Sequence, residues 1–249
     1  MDSPVARVGI LAFPGMLQMD LAGPYGVFAA APGAVVDLLW KDTTPVLSSD
    51  NMLLTPSRAF SDCPSLDIVC VPGGRGILPL LDDTAIHDFL RAQAHSVRWL
   101  SSVCTGALVL GAAGLLDGYK ATTHWQSLGM LEEFGATPVS ERVVVDRNRA
   151  TAAGVSAGID MALVLVGEDW GPDIAREIEL NMEYDPRPPF GAGHPSIAPK
   201  EVVERLRSKT ADRLKARMDA VRKAAARLRE RGSQRSAPLW PPEAEKERV

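Results

Sequence analysis

At 249 residues, 46% hydrophobic and 23% charged, the chain has the make-up of an ordinary soluble globular protein, with room for one generous α/β domain or a domain plus an appendage. A net charge of −4 argues against a nucleic-acid or membrane-surface partner, and no apolar run approaches the roughly 18 residues of a spanning helix. Three cysteines without C-x-x-C spacing disfavour a disulfide scaffold or structural zinc and fit a reducing compartment.

The N-terminal MDSPVARVGILAFPG lacks a basic region followed by a long apolar stretch, so no secretory signal is expected and a cytoplasmic setting is. Arg7–Phe13 reads as a first strand, ended by Pro14-Gly15. Leu21–Ala31 reads as a helix and Ala34–Trp40 as a second strand. Leu66–Val71 is a short buried strand running into Pro72-Gly73-Gly74. Asp83–His95 is an amphipathic helix whose His87 and His95 are expected at the surface. Val97–Ser102 is another buried strand, and Thr105–Leu116 a helix of small and aliphatic residues. Arg142–Asp146 and Ala150–Ala153 flank Arg147-Asn148 as a hairpin, and Val155–Gly167 follows as an apolar helix. This alternation predicts an α/β fold with a mostly parallel sheet and helices on both faces.

The character changes at Pro199. Residues 1–199 carry 12 Lys and Arg against 23 Asp and Glu, whereas residues 200–231 carry 12 against 5. Lys200–Arg231 shows an apolar stripe at Val203, Leu206, Leu214, Met218, Val221 and Leu228, which predicts one long basic helix stopped by Gly232. The charge contrast favours docking against this subunit's acidic body or a partner's over an RNA or membrane surface. The expected organisation is an α/β domain over 1–199, the helix over 200–231, and a flexible tail over 232–249.

The chemistry centres on Ser101-Ser102-Val103-Cys104-Thr105-Gly106, where an apolar strand turns sharply into a helix. A side chain at such a corner has the setting of a nucleophile elbow, and a helix start favours an anion. Free cysteines are usually small core hydrophobes, and Cys63 and Cys70 keep that reading. Cys104 is read as a nucleophile because of the turn. Ligands of such sheets bind beyond the C-terminal strand ends. Three loops should meet there: Pro14–Asp20, Pro72–Gly76 and the Cys104 corner. Asp20 is then a candidate acid, with capping of the following helix as a compatible structural role. Facing Cys104, it would share one proton with the sulfur, as a thiolate beside a protonated acid. Gly73 and Gly74 could turn backbone N–H groups toward a ligand or merely make a turn. Thr105 offers an N–H and a hydroxyl to the same space. His124 is a weaker candidate base, with no carboxylate evident to orient it, and Trp125 reads as an apolar pocket wall. No cluster of His, Asp and Glu has metal-ligand spacing, so no metal is expected.

SVCTGALVLGAAGLLDG, with ATTHW after it, PGG before it and GVSAGIDMAL beyond it, resembles the ThiJ/PfpI superfamily over about Arg7–Arg229. The resemblance implies a flavodoxin-like, class I glutamine amidotransferase-like fold with a C-terminal helical extension, and a homodimer. FPGMLQMDLAGP and MEYDPRPPFGAG are similar, more narrowly, to the isonitrile-hydrating group. Where protease-like members carry histidine after the nucleophile, this chain has Thr105, which disfavours peptide hydrolysis. An aspartate at position 20, where many relatives have glutamate, fits the hydratase group. That group implies Cys104, Asp20 and Thr105 as catalytic residues, with Gly73, Gly74, Trp125 and Val155 around a small isonitrile and no cofactor. A non-catalytic redox-sensing or binding role for Cys104, and a glyoxalase-type enzyme acting on small aldehydes, are the alternatives.

Overall fold

The computed structural model describes residues 6–233; the tail expected from position 232 lies outside them, its first two residues apart. The first unit is strand β1 (Ala6–Leu11), helix α1 (Gln18–Ala30) and strand β2 (Ala34–Trp40). The short strands β3 (Val46–Leu47), β4 (Leu53–Leu54) and β5 (Arg58–Ala59) precede β6 (Ile68–Val71). Then come α2 (Ile77–Leu80), α3 (Thr84–Ala94), β7 (Trp99–Val103) and α4 (Gly106–Ala112). Strands β8 (Lys120–Ala121) and β9 (Thr137–Pro138) bracket a 3-10 segment, Trp125–Phe134. The hairpin β10 (Val143–Asp146) and β11 (Arg149–Ala152) leads to α5 (Ala157–Trp170), α6 (Pro172–Asn181) and α7 (Lys200–Ser233).

Seven strands form one sheet in the order β10-β11-β7-β6-β1-β2-β5. All neighbours are parallel except the β10–β11 hairpin. Parallel strands are covered on both faces, so the central ones read as unbroken apolar runs. Every residue of β6 is buried, as are Val8, Ile10 and Leu11 of β1 and Leu100 and Val103 of β7. The helices fall into two packed groups, α1, α5 and α6 in one, α2, α3 and α7 around α4 in the other. The predicted α/β architecture with a C-terminal helix is the observed one.

Three local expectations are corrected. His87 is buried, not at the surface, with Nε2 in hydrogen-bond contact with the Leu80 carbonyl at 2.9 Å. Burial holds its imidazole below the usual histidine range, because Ala224, Arg227 and Leu228 of α7 cover that flank of α3. Helix α4 ends at Ala112, short of Leu116, because Gly114 takes φ +76° and its N–H donates back to the Gly111 carbonyl at 2.8 Å. Helix α7 runs through Gly232 to Ser233 instead of stopping there; a glycine weakens a helix without obliging it to end.

The C-terminal half of α7 docks on this subunit. Val221, Ala224 and Ala225 are buried, and Leu214, Met218 and Leu228 pack on the core. Arg222 pairs with Glu133 at 3.2 Å and Arg227 with Asp82 at 2.8 Å, so basic helix meets acidic body. These pairs are exposed and contribute little; the buried apolar stripe carries the docking. The N-terminal half projects, leaving Leu206 exposed.

Candidate active site

Because β7, β6 and β1 are sheet neighbours, their C-terminal ends bring the three expected loops together. The loops are then laced by main-chain bonds. Leu17 N–H donates to the Gly73 carbonyl at 2.9 Å, Gly76 N–H to the Gly15 carbonyl at 2.8 Å, and Ser49 N–H to the Met16 carbonyl at 2.7 Å. Gly74 holds φ +136°, and a Cβ there would lie 2.5 Å from the Leu17 nitrogen. The seam therefore closes only around glycine.

Cys104 sits at the corner between β7 and α4 with φ +54°, a left-handed conformation that costs a non-glycine residue about 1–2 kcal/mol. Two bonds hold it there: its N–H donates to the Ala152 carbonyl at 3.0 Å, and its carbonyl accepts from Thr123 Oγ1 at 2.6 Å. The turn also needs Gly106, since a Cβ on it would fall 1.9 Å from the Val71 carbonyl oxygen. That oxygen belongs to a central strand and cannot retreat. Gly106→Ala is expected to cost about 3 kcal/mol or more, lowering the thermal melting midpoint by roughly 10 °C. A wild-type melting curve would contradict this account of the corner.

Asp20 lies in the first turn of α1, which begins at Gln18. It does not cap that helix; Leu17 occupies the cap position without a side-chain bond. The carboxyl, wholly buried, points across the crevice instead. Its Oδ2 accepts from Gly73 N–H at 3.0 Å, while Oδ1 has no hydrogen-bond partner among the described residues. Gly74 N–H donates to Thr105 Oγ1 at 3.1 Å. The two glycine amides thus hold Asp20 and Thr105 in place and are not left open toward a ligand, and the Thr105 hydroxyl is likewise engaged. A Cβ on Gly73 would stand 2.5 Å from the Thr105 nitrogen and 2.9 Å from Asp20 Oδ2. Gly73 is small because these groups converge on it.

The electrostatics run opposite to a helix-start thiolate. Burial first, then the adjacent Asp20 carboxylate, pushes the Cys104 thiol up to about 12. The Thr105 N–H and the Arg217 guanidinium pull it down, but less. Burial also pushes Asp20 up to about 6, against smaller opposing contributions from the Gly73 N–H and the Cys104 thiol. Both shifts are upward because burial disfavours the charged form of each group, so Asp20 and Cys104 compete for one proton. Helix α4 is only 7 residues long and Cys104 is only 7% exposed. Desolvation outweighs so short a helix dipole.

The crevice is a pocket of about 210 Å³, lined by Leu17, Gly74, Cys104, Thr105, His124 and Val155, with a charged rim. This is at the small end for ligand sites. Cys104, Thr105, Gly74 and Val155 are therefore brought together, with Asp20 and Gly73 just behind the surface. Trp125 is not on the wall; its ring lies beneath the Arg207 guanidinium at 5.7 Å, and its neighbours His124 and Gln126 take the lining positions. His124 is pushed down to about 4 by burial and by the Arg217 and Arg213 guanidiniums. Its Nδ1 accepts from Gln126 N–H at 3.4 Å, so it faces the pocket as a neutral ring. The sequence reading missed Arg213 and Arg217 of α7, which complete the wall. A basic i, i+4 pair beside the apolar stripe was the available signal.

Residues 6–168 match the DJ-1/PfpI family model. The chain is 50% identical to the isonitrile hydratase of Pseudomonas putida over 222 residues, 89% of this chain and 97% of that protein. It is 38% identical over 146 residues, 58% of this chain, to the HTH-type transcriptional regulator GbdR of Pseudomonas aeruginosa, of which it spans 40%. Among solved structures, a THiJ/PfpI family protein from Pseudomonas syringae superposes with a TM-score of 0.84 at 38% identity, covering 90% of this chain and 92% of that one. Schizosaccharomyces pombe DJ-1, at 21% identity, TM-score 0.64 and coverage of 72% and 100%, shares the fold.

Proposed function

The chain belongs to the DJ-1/PfpI family, and from that premise we propose that it is an isonitrile hydratase, converting R–NC and water to the formamide R–NH–CHO. The observation that carries this is the Cys104–Asp20 pair at a small pocket, within a chain half identical to an enzyme of that name along nearly its whole length.

The Asp20 carboxylate removes the thiol proton as the Cys104 sulfur attacks the terminal isonitrile carbon. The C–S bond forms, one C≡N π pair moves onto nitrogen as its lone pair, and the carbon keeps its own lone pair as a carbanion. Asp20, now a carboxylic acid, delivers its proton there and gives the thioimidate R–N=CH–S. Water adds across C=N, placing hydroxyl on carbon and a proton on nitrogen. Collapse breaks C–S, moves the hydroxyl proton to sulfur, and releases the formamide with the thiol restored. The sum is one water added, with no oxidant, reductant or cofactor in the balance. Thr105 N–H and Arg217 steady the negative charge that sulfur carries while attacking and leaving. His124, neutral and without a carboxylate partner, forms wall and not base.

The test is to follow formamide formation from an aryl isonitrile by the purified protein, with methylglyoxal consumption measured in parallel. Isonitrile turnover with inert methylglyoxal supports the proposal; the reverse replaces it with a glyoxalase-type activity.

No helix among the described residues is long and apolar enough to cross a membrane, and Cys63, Cys70 and Cys104 are free thiols. Both fit a cytoplasmic enzyme acting on a small molecule. Apolar side chains at Met19, Tyr25 and Leu206 remain exposed, which supports a homodimer. Sedimentation at micromolar concentration is expected to give about twice the chain mass of 26.7 kDa; a monomer mass refutes it.

A further inference from the structure

The pocket wall supplied by α7 carries more positive charge than steadying one attacking sulfur requires. Arg213 and Arg217 both line it, and as an i, i+4 pair on one helix face they repel each other. Arg75, from the loop after β6, faces the same space. Among the described residues none of the three forms an ion pair, although Arg residues elsewhere on the surface have carboxylate partners. The acidic groups present are Asp50 on the rim, held by Gln18 Nε2 at 3.4 Å, and the buried Asp20.

Arg217 is the unusual member. It is only 6% exposed; among the described residues its one hydrogen bond is from Nη1 to Ser127 Oγ at 2.8 Å, and its buried Nε–H has no partner. An orphaned donor on a buried cation is costly, and two crowded guanidiniums add to that cost. Both penalties are relieved by one anion lying between them. A carboxylate suits this site, because planar guanidiniums pair with planar carboxylates through parallel N–H···O bonds.

Resting on the hydration reading above, we infer that Arg213 and Arg217 form a carboxylate-binding subsite and that the isonitriles this enzyme handles carry an acidic substituent. The isonitrile carbon meets Cys104 while the carboxylate faces α7.

The test compares isocyanoacetate with its methyl ester, which keeps the skeleton and removes the charge. Wild-type kcat/KM is expected to favour the carboxylate about tenfold or more, as a charge-assisted hydrogen bond allows, with the difference in KM and shrinking as salt is raised. Arg217→Met should erase that preference ratio. Arg213→Met, at an exposed position where folding is not at stake, should reduce it several-fold. A wild-type enzyme indifferent to the charge, or a ratio unmoved by Arg213→Met, overturns the subsite. Titration with N-formylglycine, read by calorimetry, separates this from failure of the hydration reading. If neither isonitrile turns over, that reading fails, and the titration alone decides the subsite. Binding weakened by Arg213→Met upholds it; absence of binding, or binding indifferent to that change, removes it.

Discussion

Cys104→Ala is expected to bring isonitrile turnover down to background, a loss of at least ~10⁴-fold of the kind seen when a covalent nucleophile is deleted. Wild-type protein quenched during turnover should carry the mass of one isonitrile on the peptide containing Cys104. The other thiols give the internal control. Burial pushes Cys70 up to about 12 and Cys63 up to about 11, and neither lines the pocket, so Cys63→Ala should keep full activity and the same adduct. Burial pushes the Cys104 thiol up as it does these two. What sets it apart is a carboxylate within reach and an open face toward a cavity. Undiminished turnover in Cys104→Ala would reject the covalent route. The same surroundings weigh against the sensor reading, since a redox-sensing cysteine is exposed and readily ionised. This sulfur is 7% exposed, and burial disfavours its ionisation.

The corner at Cys104 was legible because two periodicities meet there: an apolar run of strand length and a run of small residues that only a helix absorbs. Asp20 was legible for a topological reason. Ligand crevices sit beyond strand ends, and β7, β6 and β1 are adjacent, so loops distant in sequence had to meet. The proton's position was not legible, since it depends on how much water reaches the sulfur. The helix start is visible in the sequence, but the desolvation that overrides it is a property of the assembled loops. Gly73 and Gly74 illustrate a similar gap. Their presence signalled close approach, but whether their amides meet a ligand or internal acceptors depends on Asp20 and Thr105 lying opposite. Trp125 failed on direction: one residue's rotation along the 3-10 segment moves a ring from the wall to the underside of α7. Arg213 and Arg217 were hidden because the apolar stripe of α7 predicts that the helix docks, not where. Once the stripe sits on α4 and the 3-10 segment, its basic flank falls over the pocket.

Asp20→Asn should separate catalysis from stability most sharply, because the two effects have opposite sign. The carboxyl is held up at about 6, against 3.8 for an ordinary aspartate, so the folded protein binds its proton more tightly than the unfolded chain does. Below the ordinary value both states are protonated and no penalty arises. Between roughly 4 and 6 the unfolded chain ionises first, and stability falls as pH rises. Above about 6 the full penalty of a buried carboxylate is present, on the order of 3 kcal/mol. Asparagine keeps an oxygen for the Gly73 N–H and removes the charge. The variant should therefore melt above the wild type at pH 8, with the gap closing as pH falls through 6 toward 4. Its kcat/KM should drop about 10²–10⁴-fold, the usual contribution of a positioned proton carrier. In the wild type the rate should rise with pH through about 6, as Asp20 gains the charge it needs to take the thiol proton. It should then stay level to pH 10, because the thiol is pushed up to about 12. An alkaline limb near pH 8, or Asp20→Asn melting below the wild type at pH 8, would place the resting proton on the carboxyl and reverse the order of transfer.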